Sequence, residues 1–221
     1  MDLKDFHDIV RDFVDKGQGA WFAPEEIDNY AELAQMAWFS ECLPFYGKTQ
    51  KFTDPLLPFL TKHPFTTTGN GIVTLPTNPA ANPCYLTLPT ISIAYADGIK
   101  TRYKPIKIFP EDEIAERRDS QILEPTVTDP IAQEMSPGII QLYPEAVMSG
   151  NCFYLRKPLK PKFVYTQPDR EIIYNPATSV QLEWPETSIN KILVKTIQMC
   201  GVNINDQMLI QYTELKNSQD I

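Results

Sequence analysis

The amino-acid sequence predicts an α+β protein with helices at both ends and antiparallel strands between them. Three observations predict this class. Apolar residues recur at helical spacing in residues 2–16 and 186–200, short strand-like runs fill the middle, and all but one of the 20 prolines fall between residues 44 and 185. Because proline is excluded from helix interiors and central strands, the middle must consist of loops, edge strands and short ribbons. Strands and helices that are segregated along the chain favour α+β over βαβ organisation.

Two amphipathic helices are predicted at the N-terminal end. The first spans residues 2–16, with Asp2 as its cap and an apolar stripe of Leu3, Phe6, Val10, Phe13 and Val14. The second begins at Pro24, where proline and the acidic residues that follow suit a first helical turn. Its predicted apolar face contains Ile27, Tyr30, Leu33, Ala34, Ala37 and Trp38. The short connection between the two helices predicts a hairpin.

Turn signals divide the middle of the chain into strands. Three predicted hairpins have their turns at Gly69-Asn70-Gly71, Asp97-Gly98 and Pro137-Gly138. A short helix is predicted from Pro110 to about Arg118, and a linker with a short helix after Thr53-Asp54-Pro55 is predicted in residues 48–63. Further strands are predicted at residues 152–156, 163–165 and 171–174.

The last quarter of the chain predicts two more helices. A strand-like run from Val180 meets Pro185 at a helix entrance, and Gly201 is placed to end that helix. Its apolar stripe consists of Ile189, Ile192, Leu193, Thr196, Ile197 and Cys200. A final helix is predicted to begin at Asn205 or Asp206.

These elements predict three regions. Residues 1–63 form an N-terminal helical hairpin with a linker, residues 64–178 an antiparallel β lobe rich in hairpins, and residues 179–221 a C-terminal helix pair with a docking tail. We expect the terminal helices to pack as one helical bundle, with the β lobe inserted between them. Trp38 is expected in the core of the bundle, whereas Phe45 and Tyr46 could belong to the core or to an interface.

Composition and charge exclude several classes of function. The formal charge of −8 argues against a protein that grips nucleic acid through its phosphates, although it permits a wall past which DNA slides. No apolar run is long enough to cross a membrane, and residues 1–5 do not resemble a secretory signal, so no membrane contact is expected. The widely spaced Cys42, Cys84, Cys152 and Cys200 predict reduced, mostly buried thiols and a reducing compartment.

The sequence offers little that could perform catalysis. His7, at a helix position that looks exposed, and His63, in a loop, have no metal-ligand spacing to other residues. Paired acids such as Glu25-Glu26 are typical of a first helical turn. We therefore expect neither an enzyme nor a cofactor or metal. A wall hydrolase that uses Asp169 or Glu171 near Tyr165 is a rival, which a turbidity assay on cell walls would test.

Two basic clusters interrupt the acidic background. They are Lys100, Arg102, Lys104 and Lys107, and Arg156, Lys157, Lys160 and Lys162, and aromatic residues accompany both. Up to residue 47 the chain carries ten acidic and three basic residues, so either cluster could meet the acidic helices of a second copy in head-to-tail association. The alternative is that these lysines and arginines are solvated strand faces that protect sheet edges.

Three stretches resemble a family of virion structural proteins from crAss-like and related short-tailed bacteriophages. They are Trp21-Phe22-Ala23-Pro24-Glu25-Glu26-Ile27-Asp28, Tyr154-Leu155-Arg156-Lys157-Pro158 with Lys160-Pro161, and Ser179-Val180-Gln181-Leu182-Glu183-Trp184-Pro185-Glu186 continuing to Cys200-Gly201-Val202-Asn203-Ile204. The order of elements also resembles that of tail adaptors from short-tailed phages. None of the three stretches is a chemical motif.

The resemblance implies a connector ring below the portal at the head–tail junction of a virion assembled in a bacterial cytoplasm. Twelve copies would match a portal and line the channel through which double-stranded DNA passes without specific binding. The implied partners are the portal and adjacent tail or ring proteins. Met208, Leu209, Tyr212 and Leu215 would dock on the portal, and Arg102, Lys104, Arg156 and Lys157 would contact neighbours. Intramolecular packing is the alternative for the Met208–Leu215 stripe.

A β-rich binding module of a virion, attached to a glycan or a capsid, is the second candidate function. Such a module would cluster its aromatic residues on one exposed β face, and a glycan array would reveal it.

Overall fold

The computed structural model describes residues 1–18, 22–77, 85–97, 100–120, 122–146, 148–168 and 172–201. It has mixed α+β structure with antiparallel sheets, as the sequence predicts. The chain divides into two compact units. The helical unit comprises Met1–Pro58 and the chain from Pro158 onward, and the β unit comprises Phe59–Lys157.

The described residues form α1 (Leu3–Gln18), α2 (Pro24–Cys42), α3 (Gln50–Thr53), α4 (Glu111–Asp119) and α5 (Glu186–Met199). Two 3-10 helices, at Leu43–Phe45 and Asp54–Phe59, flank α3. The second of them takes the place of the short helix that was expected after Thr53. Pro55 and Pro58 lie within it and limit its regular hydrogen bonding.

Helix α1 has the predicted cap and stripe. The Asp5 N–H donates to Asp2 Oδ1 at 2.7 Å and satisfies one of the free N–H groups of the first turn. Leu3, Phe6, Val10 and Val14 are buried, and Phe13 lies at the edge of the core. These burials confirm the helical period of the sequence.

Helix α2 buries a face that matches the predicted one only in part, since Ile27 and Ala34 are buried and the other predicted residues are half-buried or exposed. The Ala23 N–H donates to Glu26 Oε2 at 2.8 Å, which fixes the helix start. Leu33, assigned to the apolar face, is 58% exposed, whereas Phe39 is completely buried. The core-facing positions include the polar Asp28 and Gln35, so a stripe drawn through apolar residues alone is rotated away from the true face.

Helix α5 confirms the prediction for its span and its buried stripe. Its packing partners in the helical unit are α2 and α1. Gly201 follows with φ of +88°, a left-handed conformation that glycine adopts without steric cost at a helix end. The final helix predicted from Asn205 or Asp206 lies outside the described residues.

The strands of the β unit are β1 (Leu60–Thr66), β2 (Ile72–Thr74), β3 (Tyr85–Asp97), β4 (Lys100–Ile106), β5 (Ile131–Ser136), β6 (Ile139–Tyr143) and β7 (Ser149–Arg156). They build two antiparallel sheets, with the orders β1-β7-β3-β4 and β2-β6-β5. Ladder pairing confirms the predicted β3–β4 and β5–β6 hairpins. Helix α4 confirms the helix predicted after Pro110.

The first predicted hairpin is wrong. Strand β1 pairs with β7, and β2 pairs with β6, so the two runs flanking Gly69-Asn70-Gly71 enter different sheets. Gly69 and Gly71 do adopt positive φ, as the turn signal implies. A Cβ on Gly71 would lie 2.4 Å from the Leu142 carbonyl oxygen, so this glycine also permits the close approach of the chain to β6.

Residues 158–178 lie in the helical unit, whereas the sequence placed them in the β lobe. The described part of this segment contains the two-residue strands β8 (Tyr165–Thr166) and β9 (Ile173–Tyr174), which pair with each other. The Phe163 N–H donates to the buried Asp28 of α2, which explains the assignment of this segment.

The core of the β unit forms around β7, the strand between β1 and β3. Tyr154 on β7 is completely buried and meets the Tyr85 ring edge-on at 5.5 Å. Gly150, also on β7, lies between Ile93 and Phe65 in register. A Cβ at Gly150 would come within 2.1 Å of the Ser92 carbonyl oxygen. The close approach of β3 to β7 therefore requires glycine at this position.

We expect Gly150→Ala to destabilise the protein because the added methyl group must push β3 away from β7. The expected loss of unfolding free energy is about 1–3 kcal/mol, typical of an overpacked interior. Chemical denaturation followed by circular dichroism measures it. The neighbouring exposed Ser149→Ala is the control and should change stability little. Equal stability of G150A and S149A would show that β3 and β7 do not approach as described.

Candidate functional site

The most organised polar site of the helical unit centres on Asp28. Its Oδ1 lies 2.9 Å from His7 Nε2 of α1, and its Oδ2 accepts a hydrogen bond of 2.8 Å from the Phe163 N–H. The Asp28 residue is 4% exposed and His7 is completely buried. One carboxylate thus joins α2 to α1 and to the segment that follows the β unit.

The burial of His7 corrects the sequence prediction of an exposed histidine. His7 follows Leu3 by four residues and precedes Val10 by three, so it falls on the apolar stripe of α1. That spacing was a usable signal. The polarity of the side chain obscured this signal. A buried histidine needs a hydrogen-bond partner, and the partner of His7 is Asp28, which lies 21 residues away in sequence.

Aromatic contacts complete the site. The Phe163 ring stacks on His7 with centroids 4.4 Å apart and on Tyr174 at 4.7 Å. The Arg11 guanidinium carbon lies 5.8 Å from the Phe163 centroid, within the range of a cation–π contact. Phe163 follows the basic Lys160 and Lys162 in the sequence, but it is a buried core residue.

A second polar clamp lies two turns further along α2. Gln35 Nε2 donates to the Leu159 carbonyl oxygen at 2.9 Å, and Gln35 Oε1 accepts from Trp184 Nε1 at 3.1 Å. Glu183 accepts a hydrogen bond from the Leu159 N–H at 3.0 Å. Asp28 and Gln35 are seven residues apart, so they occupy the same face of α2 and hold successive parts of the returning chain.

This arrangement is suited to holding the fold together. A histidine–carboxylate pair can act as a general base only when a substrate or nucleophile reaches the ring, and the His7 side chain has no exposed surface. Within the described residues, no three His, Cys, Asp or Glu side chains are grouped to hold a metal ion. The geometry therefore gives the Asp28 site a structural role.

The described thiols are also poor nucleophiles. Cys42, Cys152 and Cys200 are buried and free, as predicted, while Cys84 lies outside the described residues. Burial, assisted by nearby acidic side chains, raises the pKa of Cys42 and Cys200 to about 11 and that of Cys152 to about 12. Very little thiolate exists at neutral pH under these conditions.

The predicted contact residue Lys104 lies at the rim of an apolar groove in the β unit. Its Nζ is 2.6 Å from Asp129 Oδ1 and donates to the Thr128 carbonyl oxygen at 3.2 Å. The groove has a volume of about 590 Å³, and its apolar lining includes Ile93, Val127 and Met148. Lys104 is therefore already paired, although its side chain remains 44% exposed.

The two basic clusters predicted from the sequence, at residues 100–107 and 156–162, are separated in the structure. Lys104 is opposite Ile93, and Arg156 is opposite Tyr85, eight residues away along β3. At roughly 3.3 Å per residue, these positions are separated by about 25 Å. Arg156 packs over the Phe59 ring at 5.4 Å and donates to the Lys157 carbonyl oxygen at 3.4 Å.

Most of the other predicted contact residues lie outside the described residues. Arg102 belongs to β4 and pairs with Tyr95, but only its backbone is described. Met208, Leu209, Tyr212 and Leu215 lie outside the described residues, as do Asp169 and Glu171 of the hydrolase rival.

The β unit also exposes large apolar side chains that are not among the predicted contact residues. Ile122, Leu123 and Val127 precede β5, and Ile122 is 92% exposed. Ile72, Met135 and Ile139 are exposed on the three-stranded sheet. Ile72 and Ile139 lie on the adjacent strands β2 and β6, and apolar residues exposed side by side favour binding to other molecules. The strand pattern could have revealed Ile72 and Ile139, because both alternate with buried neighbours.

Comparison with known proteins gives no match to a protein-family model and none to a curated protein. Within the described part of the chain, no helix has the length and apolarity needed to cross a bilayer.

We expect Asp28→Ala to lower the unfolding free energy by about 2–5 kcal/mol. The substitution leaves the His7 and Phe163 donors buried without an acceptor, and each such group costs roughly 1–3 kcal/mol. Chemical denaturation measures the loss, and the exposed Asp15→Ala on α1 is the control. In a double-mutant cycle with His7→Ala, additive losses would contradict the proposed coupling.

We expect Lys104→Ala to raise the pKa of Asp129, because Lys104 holds that pKa below its ordinary value by hydrogen bonding and charge. The ion pair stabilises the fold above the ordinary carboxyl pKa, and this contribution disappears as the pH falls through the lowered value. Since the pair is exposed, the loss at neutral pH should be less than about 1 kcal/mol. Carboxyl NMR titration measures the pKa, with Lys107→Ala as control. An unchanged Asp129 pKa in K104A would refute the pairing.

Proposed function

We propose that this chain is a non-enzymatic connector subunit of a short-tailed phage virion, which forms a ring between portal and tail. Twelve copies line the DNA exit channel. The terminal helices pack as a bundle that builds the ring body, the β unit contacts an adjacent ring or tail protein, and residues 206–221 bind the portal. The observation that carries this proposal is the apolar surface of the β unit, together with the resemblance in sequence.

The stretches that carry the resemblance support a common architecture. Asp28 ends the first stretch, Leu159 lies between the two parts of the second, and Trp184 lies within the third. Asp28 and Gln35 bring these distant stretches together on α2 through Phe163, Leu159 and Trp184. Residues that a family shares for folding would be expected to meet in this way.

The exposed apolar residues support assembly with neighbours. Ile122 and Leu123 are 92% and 56% exposed, although the same β unit buries a well-packed core. Burial of apolar surface yields about 25 cal/mol per Å², so several such side chains contribute usefully to a contact between subunits.

The distribution of charge fits repeated head-to-tail contacts. Residues 1–58 carry eleven acidic and five basic residues, whereas residues 59–157 carry ten acidic and nine basic ones. Within the nearly neutral β unit, the basic residues of β4 would be the part that an acidic helical segment of another copy attracts. Heterologous contacts of this type close into rings when the rotation permits.

The net negative charge also suits a DNA channel. Duplex DNA carries one negative charge per about 1.7 Å of axis, so a wall rich in carboxylates does not retain it. The proposed contact with DNA is therefore transient and independent of base sequence.

We expect the full-length protein to form a ring when it is mixed with the portal of its virion. Mass photometry and negative-stain electron microscopy should show one ring of about twelve subunits per portal. Ile122→Asp should weaken assembly strongly while leaving thermal stability unchanged, because this side chain is exposed. The matched variant Ile122→Val keeps an apolar side chain and should assemble normally. A protein that stays monomeric beside the portal, or that binds a glycan or capsid instead, would overturn the proposal.

A further inference from the structure

The helical unit has an open groove between α2, α3 and α5. Its volume is about 430 Å³. Trp38 and Phe52 contribute aromatic surface, with ring centroids 6.3 Å apart, and Phe45 stacks on Phe52 with centroids 4.9 Å apart. Val194 and Gln198 of α5 line the opposite side. The groove is therefore an aromatic and aliphatic surface of a size suited to two or three large side chains.

The rim of the groove is basic. Lys51, Lys191 and Lys195 line it, and the single acidic residue among its lining residues is Glu41, which pairs with Lys195 at 2.5 Å. An occupant that combines apolar side chains with carboxylates would complement this rim.

Trp38 supplies an independent indication that the groove has an occupant. Its indole Nε1 is buried, and no acceptor for it exists in the described part of the chain. Buried indole N–H groups usually have a hydrogen-bond partner. A segment docked along the groove could offer a carbonyl or side-chain oxygen to this donor.

We propose that the groove is the docking site for residues 202–221 of the same chain. This segment carries Met208, Leu209, Tyr212 and Leu215 at helical spacing. It also carries Asp206, Glu214 and Asp220 against the single base Lys216, so its net charge is opposite to that of the groove lining. An amphipathic segment seated in an apolar groove is a common mode of recognition.

The connection to α5 places the segment within reach. Gln198 lines the groove, and Gly201 follows three residues later in the left-handed conformation that ends the helix. Met208 lies seven residues beyond Gly201, which allows a reach of up to about 25 Å. The groove side of α5, from Lys191 to Gln198, is only about 10 Å long at 1.5 Å per residue.

Covalent attachment favours this segment over the same segment of a second copy. A short tether provides an effective concentration in the mM range, which exceeds the usual concentration of free subunits. The inference goes beyond the connector ring and does not depend on it. If the ring proposal is also correct, the groove holds the portal-binding segment until the portal competes for it.

Zero-length carbodiimide crosslinking of the full-length protein tests the inference directly. An equal mixture of unlabelled and ¹⁵N-labelled protein is treated at low concentration, and crosslinked peptides are identified by mass spectrometry. We expect amide links from Lys51 or Lys191 to Asp206, Glu214 or Asp220, each joining two peptides of the same isotope. The Lys195–Glu41 pair at 2.5 Å and the Lys160–Glu32 pair at 3.2 Å provide internal positive controls.

Substitutions in residues 202–221 distinguish specific docking in the groove from crosslinks that form only because the segment is nearby. Leu209→Ala combined with Tyr212→Ala should abolish the links to the groove lysines, whereas Gln207→Ala should preserve them. Links of mixed isotope would overturn the inference, because the occupant would then be a second copy. Recovery of the control links without any groove link would overturn it as well. Neither result bears on ring formation with the portal, which the assembly experiment measures separately.

Discussion

The carboxylate of Asp28 imposes the constraint on which the helical unit depends. Apolar stripes on α1, α2 and α5 drive these helices together, but hydrophobic burial has no direction and tolerates sliding. Asp28 adds direction, because both of its oxygens are used, one by His7 and one by the Phe163 N–H. A buried polar group is costly unless it is hydrogen-bonded. Alternative registers of α1 against α2 would leave these groups unpaired and are therefore disfavoured.

The hydrogen bonds on α2 also explain how the helical unit accommodates the β unit, Phe59–Lys157, between two parts of its own chain. The chain leaves the helical unit at Pro58 and returns at Pro158, and the return is fixed on α2 by Gln35 and Asp28 within a few residues. The entropic cost of closing a loop grows only with the logarithm of its length. The β unit also has its own core around Tyr154 and Ile91. The fold of the helical unit therefore depends on where the chain leaves and returns, and less on the sequence of the β unit between those points.

Sequence reasoning recovered the elements whose signals are local. The cap of α1, the apolar periods of α1 and α5, and the β3–β4 and β5–β6 hairpins depend on neighbouring residues, and the structure agrees with them. It failed where the partner lies far along the chain. The pairing of β1 with β7 joins residues almost 90 positions apart, and His7 depends on Asp28. No local pattern specifies such pairs, so the Asp28 site could not be predicted as a unit even though the spacing of His7 hinted at its burial.

The described buried polar groups of the helical unit take part in folding, and the exposed apolar residues of the β unit are suited to contacts. His7, Asp28 and Gln35 bind parts of their own chain, whereas Ile122, Leu123 and Ile139 expose apolar surface to solvent. Contacts built from a few exposed side chains are weak individually. In a closed ring every subunit makes two of them, and a portal template adds further contacts to each subunit, so the assembly can be stable although isolated pairs are not. If the chain forms the proposed ring, the state of the isolated protein is therefore less informative than its state on the portal.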